Sequence, residues 1–222
     1  MTAAITFLQS ASDTTDSSTY TFASQNLGTA SADRYIIVCI AGRRGNVLDI
    51  LVSSVTVQGV SASLVVNVQN AATNSSVACI AIAAVPTGTT GDIVVNFPRT
   101  LSRLGISVFA ATGIVPTEFD SDSSTADSPT CNLDIPAYGI GVGICNVSSS
   151  SSVAWSGLTE RNDDAVEGST FSAASDAFSA TQTGLAITAT ITGTLTNPVG
   201  AFASFKTFNE AWARNSNVLI GM

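Results

Sequence analysis

Histidine is absent from these 222 residues, which removes the most common general base and the most common imidazole ligand of transition metals. No Ser-His-Asp or Cys-His arrangement can form within the chain. A Ser-Lys pair would need Lys206, the single lysine. It lies in the strand-like run 201–208, where a surface lysine snorkelling along apolar neighbours is the simpler reading. Carboxylates remain. They gather as Glu118, Asp120, Asp122 and Asp127, and as Glu160, Asp163, Asp164 and Glu167. Paired carboxylates can cleave a glycosidic bond, and an acidic loop with Ser and Asn oxygens can hold Ca²⁺, which takes about six to eight oxygen ligands. Neither cluster has EF-hand spacing: counted from Asp120, the turn-glycine position holds Thr125 and the last ligand position holds Cys131. Both clusters read as solvated acidic loops, with calcium binding and hydrolysis as the competing readings.

The only adjacent arginine pair is Arg43-Arg44, flanked by Gly42 and Gly45. It reads as an exposed hairpin tip, or as a contact to an acidic patch on another subunit. The four cysteines, Cys39, Cys79, Cys131 and Cys145, form no CxxC pair and sit in strand-like runs, so they read as buried free thiols and not as a zinc site. No glycine-rich phosphate cradle precedes a helix. A net charge of -8 opposes binding to the phosphate backbone of nucleic acid. The apolar runs, such as 104–115, are too short and too interrupted to span a membrane as a helix, and residues 1–10 lack a basic segment before an apolar one. The expectation is a non-enzymatic protein without cofactor or metal.

The elements that carry these residues are strands. From Gly184 to Gly193, Leu185, Ile187, Ala189 and Ile191 would line one face, and Ala186, Thr188, Thr190 and Thr192 the other. A period of two marks a half-buried strand. The same pattern predicts strands over 4–9, 18–23, 34–41, 48–58, 63–68, 76–85, 92–97, 103–111, 130–135, 138–147, 153–155, 185–192 and 199–208. Residues 35–40 and 77–85 are apolar on both faces, as expected of strands covered from both sides or lying at a subunit contact. In 138–147, Gly139, Gly141 and Gly143 share one face, which predicts either a bend or bulge or a close intersubunit approach. Residues 117–130 read as a loop joining two halves or two sheets, and 148–152, five serines, as a flexible loop. No internal repeat is visible. Spacing of about 8 to 12 residues between strands fits a sandwich or barrel. The expected fold is an all-β, jelly-roll-like antiparallel β-sandwich spanning 1–208, with an internal boundary possible near 114–130. Residues 209–222 form an irregular C-terminal arm with one short helical candidate at 209–214.

With 45% apolar and only 11% charged residues, the surface resists neighbours weakly, which suits a protein that lives packed against others. The run "TYTFASQNLGTASADRYIIVCIAG" at 19–42, "ISVFAATGI" at 106–114, "WSGLTE" at 155–160 and the ending "AWARNSNVLIGM" resemble a family of small β-rich proteins from tailed bacteriophages, many from marine hosts. The resemblance covers most of the chain. It implies a jelly-roll-like sandwich on the virion, on head or tail, and supplies no catalytic residues. The resulting expectation is a capsid decoration or head-fibre subunit, made in the host cytoplasm, that binds the major capsid protein or tail components as a homo-oligomer. Its predicted contacts are Arg43 and Arg44, residues 1–9, and Trp212, Leu219, Ile220 and Met222 of the arm. The alternative is a tail receptor-binding or carbohydrate-binding module stacking sugars on Trp155, Tyr20 and Tyr138. A third reading is a carboxylate hydrolase using Asp163 and Asp164.

Overall fold

A computed structural model describes residues 2–45, 49–71 and 73–208. It contains seventeen strands and, among the described residues, no helix. The first nine strands are β1 (Ala4–Asp13), β2 (Ser17–Asn26), β3 (Tyr35–Arg43), β4 (Ser54–Val57), β5 (Val60–Ser61), β6 (Ser63–Asn70), β7 (Ser76–Ala84), β8 (Thr90–Leu101) and β9 (Arg103–Thr112). They make an outer sheet, β2-β8-β4-β5, and an inner sheet, β1-β9-β3-β7-β6. The remaining strands are β10 (Ile114–Ser124), β11 (Thr130–Ile135), β12 (Ile140–Val147), β13 (Ser151–Ser156), β14 (Thr159–Ala165), β15 (Thr170–Ala177), β16 (Gln182–Gly193) and β17 (Val199–Thr207). These build a second inner sheet, β10-β17-β12-β15-β14, and a second outer sheet, β11-β16-β13.

The two halves share one topology. Pairings nest as β1 with β9, β2 with β8 and β3 with β7, and again as β10 with β17, β11 with β16 and β12 with β15, all antiparallel. Nested pairs laid alternately over two sheets make a jelly roll, so the chain is two jelly rolls in tandem. Among the described strands, only β5 has no counterpart in the second half. The residues themselves do not betray this repeat, because alternating small apolar and hydroxyl side chains satisfy the same strand pairings in many different orders.

Four layers result. Alternation along β3 explains how they hold together: Ile36, Val38 and Ile40 pack with the first outer sheet, while Ile37, Cys39 and Ala41 pack toward the second inner sheet. Strand β7 divides in the same way, with Val77, Cys79 and Ala81 on one side and Ala78, Ile80 and Ile82 on the other. The apolar runs on both faces of 35–40 and 77–85 therefore belong to strands covered from both sides within one chain. Beyond the second inner sheet, smaller clusters around Leu133, Ile187 and Phe202 and around Cys145, Val153 and Ile191 close the last layer.

Several local expectations need correction. The stretch 117–130 is strand as far as Ser124, and only 125–129 crosses between sheets. Gly42 and Arg43 are the last two residues of β3, which pairs with β7 and β9 and not with the next strand, β4, so the arginine pair is not the tip of a β3–β4 hairpin. The glycine face of β12 is neither bulge nor subunit contact. Its pairing with β15 and β17 runs without a register shift, and a side chain at Gly143 would meet the Trp155 ring at 2.8 Å. Glycine makes room there for an indole of the same chain. In the serine run, the Ser149 and Ser151 hydroxyls donate to the Thr194 carbonyl and the Ser148 hydroxyl to the Asn74 carbonyl. That run is a bonded turn entering β13. The helical candidate at 209–214 lies outside the described residues.

Candidate interaction surfaces

Arg43 is the last residue of β3 and Arg44 follows it, and the two side chains take different partners. Arg44 donates to the Thr100 carbonyl beside a cleft of about 180 Å³ lined by Asp16, Arg44, Gly45, Thr100, Leu101 and Ser102. Arg43 reaches across to the other half, where Nη1 donates to the Gly168 carbonyl at 2.8 Å. Its register partner is Arg103 on β9. Burial, and secondarily the Arg103 charge, hold the Arg43 pKa below the usual arginine value. Arg103 and the buried Asn146 escaped the sequence reading because strand register, a non-local property, is what brings them to this seam. Asn146 Nδ2 donates from β12 to the Gly42 and Val77 carbonyls of the first half at 2.6 and 3.2 Å.

The acidic residues stand mainly on strands and not in loops. Glu118, Asp120 and Asp122 lie on β10, and Glu160, Asp163 and Asp164 on β14, the two edges of the second inner sheet. Charge on an edge strand opposes pairing with foreign strands. Several carboxylates also accept backbone N–H groups: Asp120 from Asp134 at 2.7 Å, Asp134 from Gly184 at 2.7 Å and Asp163 from Val153 at 3.2 Å. Burial raises the pKa of Asp163 against the opposing pull of the Val153 N–H, and the Asp164 charge raises it further. Glu160 is raised by burial and by Asp163. Asp127 lies in the crossing after β10, and Glu167 occupies the tight turn between β14 and β15. Among the described residues no group of three or more Asp, Glu, Cys or His side chains is placed to hold a metal ion.

Of the aromatic candidates, Tyr20 is 1% exposed, with its hydroxyl 2.9 Å from the Thr15 and Leu101 carbonyls; burial pushes its phenol up to about 12. Trp155 is half-buried, edge-on to Phe202, and its Nε1 donates to Ser172 Oγ at 2.8 Å. Tyr138 is 50% exposed. It holds a positive φ of 63°, in a turn closed by the bond from the Gly139 N–H to the Pro136 carbonyl. All four cysteines are free and buried, and burial raises every thiol pKa. Lys206 is exposed on β17. Trp212, Leu219, Ile220 and Met222 lie outside the described residues. Among the described residues no helix is long and apolar enough to cross a membrane. No family model matches the chain, and no curated protein or solved structure matches it either.

Proposed function

We propose that this chain is a structural component of a tailed-bacteriophage particle, a capsid decoration or head-fibre subunit that works through protein–protein contacts. The observation that carries this reading is the tandem of two jelly rolls whose polar side chains are engaged in architecture: Arg34, Asp120, Asp134, Asn146 and Asp163 all bond to backbone groups. The likeness of its residue runs to phage virion proteins points the same way. Contacts to the major capsid protein or to tail components, and to sibling copies, would run through Arg43, Arg44, the N-terminal strand and the arm bearing Trp212, Leu219, Ile220 and Met222. No bond is made or broken in this role. Cryo-electron microscopy of the assembled particle tests it, with density for four stacked sheets expected on the capsid surface. A chain absent from purified particles would overturn it. Deleting 209–222 is expected to reduce incorporation, and unchanged incorporation removes the arm from the proposal.

The exposed, strained Tyr138 favours one alternative, a receptor-binding or carbohydrate-binding module of the tail, since such backbone strain concentrates at functional sites. Specific binding on a glycan array that is lost in Tyr138→Ala would establish this second reading. Silence across the array would dismiss it.

A further inference from the structure

The seam between the two jelly rolls holds a charge arrangement that the described side chains do not neutralise. Arg43 and Arg103 stand directly opposite each other in antiparallel register, where like charges destabilise a sheet. Both guanidinium groups converge on the tip of the β14–β15 hairpin: the Nη1 atoms of Arg43 and Arg103 each lie 3.8 Å from where a Gly168 side chain would begin. Arg43 Nη1 bonds the Gly168 carbonyl and lies 3.5 Å from Ser169 Oγ. Among the described residues, Arg103 Nε and Nη1 are buried without a hydrogen-bond partner. Among the described residues the one ion pair joins Arg161 to Asp176, so no carboxylate neutralises either member of the arginine pair. Both residues nevertheless keep part of their surface in solvent.

The orphaned Nε and Nη1 of Arg103 are closed to solvent, so a ligand can reach only the solvent-facing part of the two residues. An oxyanion there offsets both charges, because planar guanidinium donors match the oxygens of one anion. We propose that Arg43 and Arg103 together bind an oxyanion of the sulfate, phosphate or carboxylate type on the solvent side of the seam. Arg43 is also one of the virion contacts proposed above, but anion binding by the isolated chain does not rest on that role. Both arginines belong to the first jelly roll and the Gly168 hairpin to the second, so the anion would sit beside the contact that Arg43 makes between the halves. The nearest rival from the chain itself is Glu167, an exposed residue at positive φ (40°) on the same turn, whose carboxylate makes no ion pair with either arginine.

The test titrates the full chain with sodium sulfate, phosphate or acetate at constant ionic strength set with chloride, following thermal unfolding, with calorimetric titration for stoichiometry. Expected is a saturable rise of a few degrees in Tm with one anion bound per chain. Preference for sulfate or phosphate identifies a free inorganic ligand, and preference for acetate a carboxylate presented by a partner. Arg103→Met is expected to lose the saturable rise and, without anion, to melt no lower than wild type, since the repulsion and the orphaned donors vanish together. Arg103→Lys keeps the charge but loses the fork, and is expected to weaken binding about tenfold. Glu167→Gln is expected to bind at least as well as wild type. Sulfate stabilises many proteins non-specifically, so an equal response in Arg103→Met, or no response in wild type beyond chloride, overturns the proposal. A loss of stability in Glu167→Gln as large as that anion-dependent rise would also overturn it, by making Glu167 the true counter-charge.

Discussion

At the residue scale, this chain uses charge mainly to satisfy backbone groups. Arg34 is 1% exposed and directs five N–H groups at five carbonyls, those of Leu27, Gly28, Val85, Thr87 and Gly88, at 2.7 to 3.0 Å. It staples the loop after β2 to the loop after β7. Arg34→Met strands all five carbonyls, and a loss of at least about 3 kcal/mol in urea unfolding is expected; a loss below about 1 kcal/mol would refute the staple. Asp163 offers a pH test. Its folded pKa is raised, so the folded chain holds this proton more tightly than the unfolded chain does. Ionisation therefore subtracts stability as pH rises through the raised value, and stability returns as pH falls back toward the ordinary carboxylate range. Asp163→Asn keeps an acceptor for the Val153 N–H and is expected to be more stable than wild type at neutral pH, by only about a few tenths of a kcal/mol because solvent screens this exposed side chain. The advantage should vanish in acid, and a gap independent of pH between 3 and 7, in about the range where carboxylates titrate, would contradict the assignment.

Among the elements, long alternating strands were legible and small or polar ones were not. In β16, Ile187, Ala189 and Ile191 are buried, whereas Ala186, Thr190 and Thr192 are exposed, as the period of two required. Strand β11 has the predicted bounds. By contrast β15 reads Thr-Phe-Ser-Ala-Ala-Ser-Asp-Ala and is buried along its first six residues. Nothing in that run signals a strand, because small side chains are selected by the narrow gap between two covering sheets and not by local propensity. Edge strands β10 and β14 were read as acidic loops, since charges on an edge erase the apolar alternation that identifies a strand. The same narrow gap makes a prediction at Gly105 on β9, where a side chain would lie 2.3 Å from Phe171 Cδ2 across the seam. The Phe171 ring is fully packed, so Gly105→Ala is expected to cost roughly 1–3 kcal/mol in denaturant unfolding. Gly45→Ala, with no atom within 4 Å of the new methyl, serves as the near-neutral comparison. Equal stability of the two variants would mean that the inner sheets are not tightly apposed.

For the whole molecule, the central layer decides how the halves depend on each other. One apolar cluster joins Ile37, Ile80, Ile82 and Phe109 of the first jelly roll to Ile144, Phe171, Ala203 and Phe205 of the second. Separated, each half would expose a broad apolar sheet face to water, a feature of aggregating surfaces. Residues 1–113 expressed alone are expected to elute as aggregate from size-exclusion chromatography, and a monodisperse folded fragment would show that the seam is dispensable. The connection itself is a single residue, Gly113, at φ 67°. Its N–H donates to Asp33 at 3.0 Å and its carbonyl accepts from the Phe208 N–H at 2.7 Å. The outermost pairings, Ala4 with Thr112 and Ile114 with Thr207, close each wrap over nearly its whole length. Such non-local pairing places folding in the slow range of milliseconds to seconds or beyond.

The residues alone determined the all-β class, most strand positions and that 35–40 and 77–85 are apolar on both faces, because periodicity and side-chain type are local and burial imposes them directly. Register, the doubling of the jelly roll and the meeting of Arg43 with Arg103 were decided only in three dimensions. Each depends on which distant strands become neighbours, and alternating small residues are compatible with many such orders until the packing of four layers selects one.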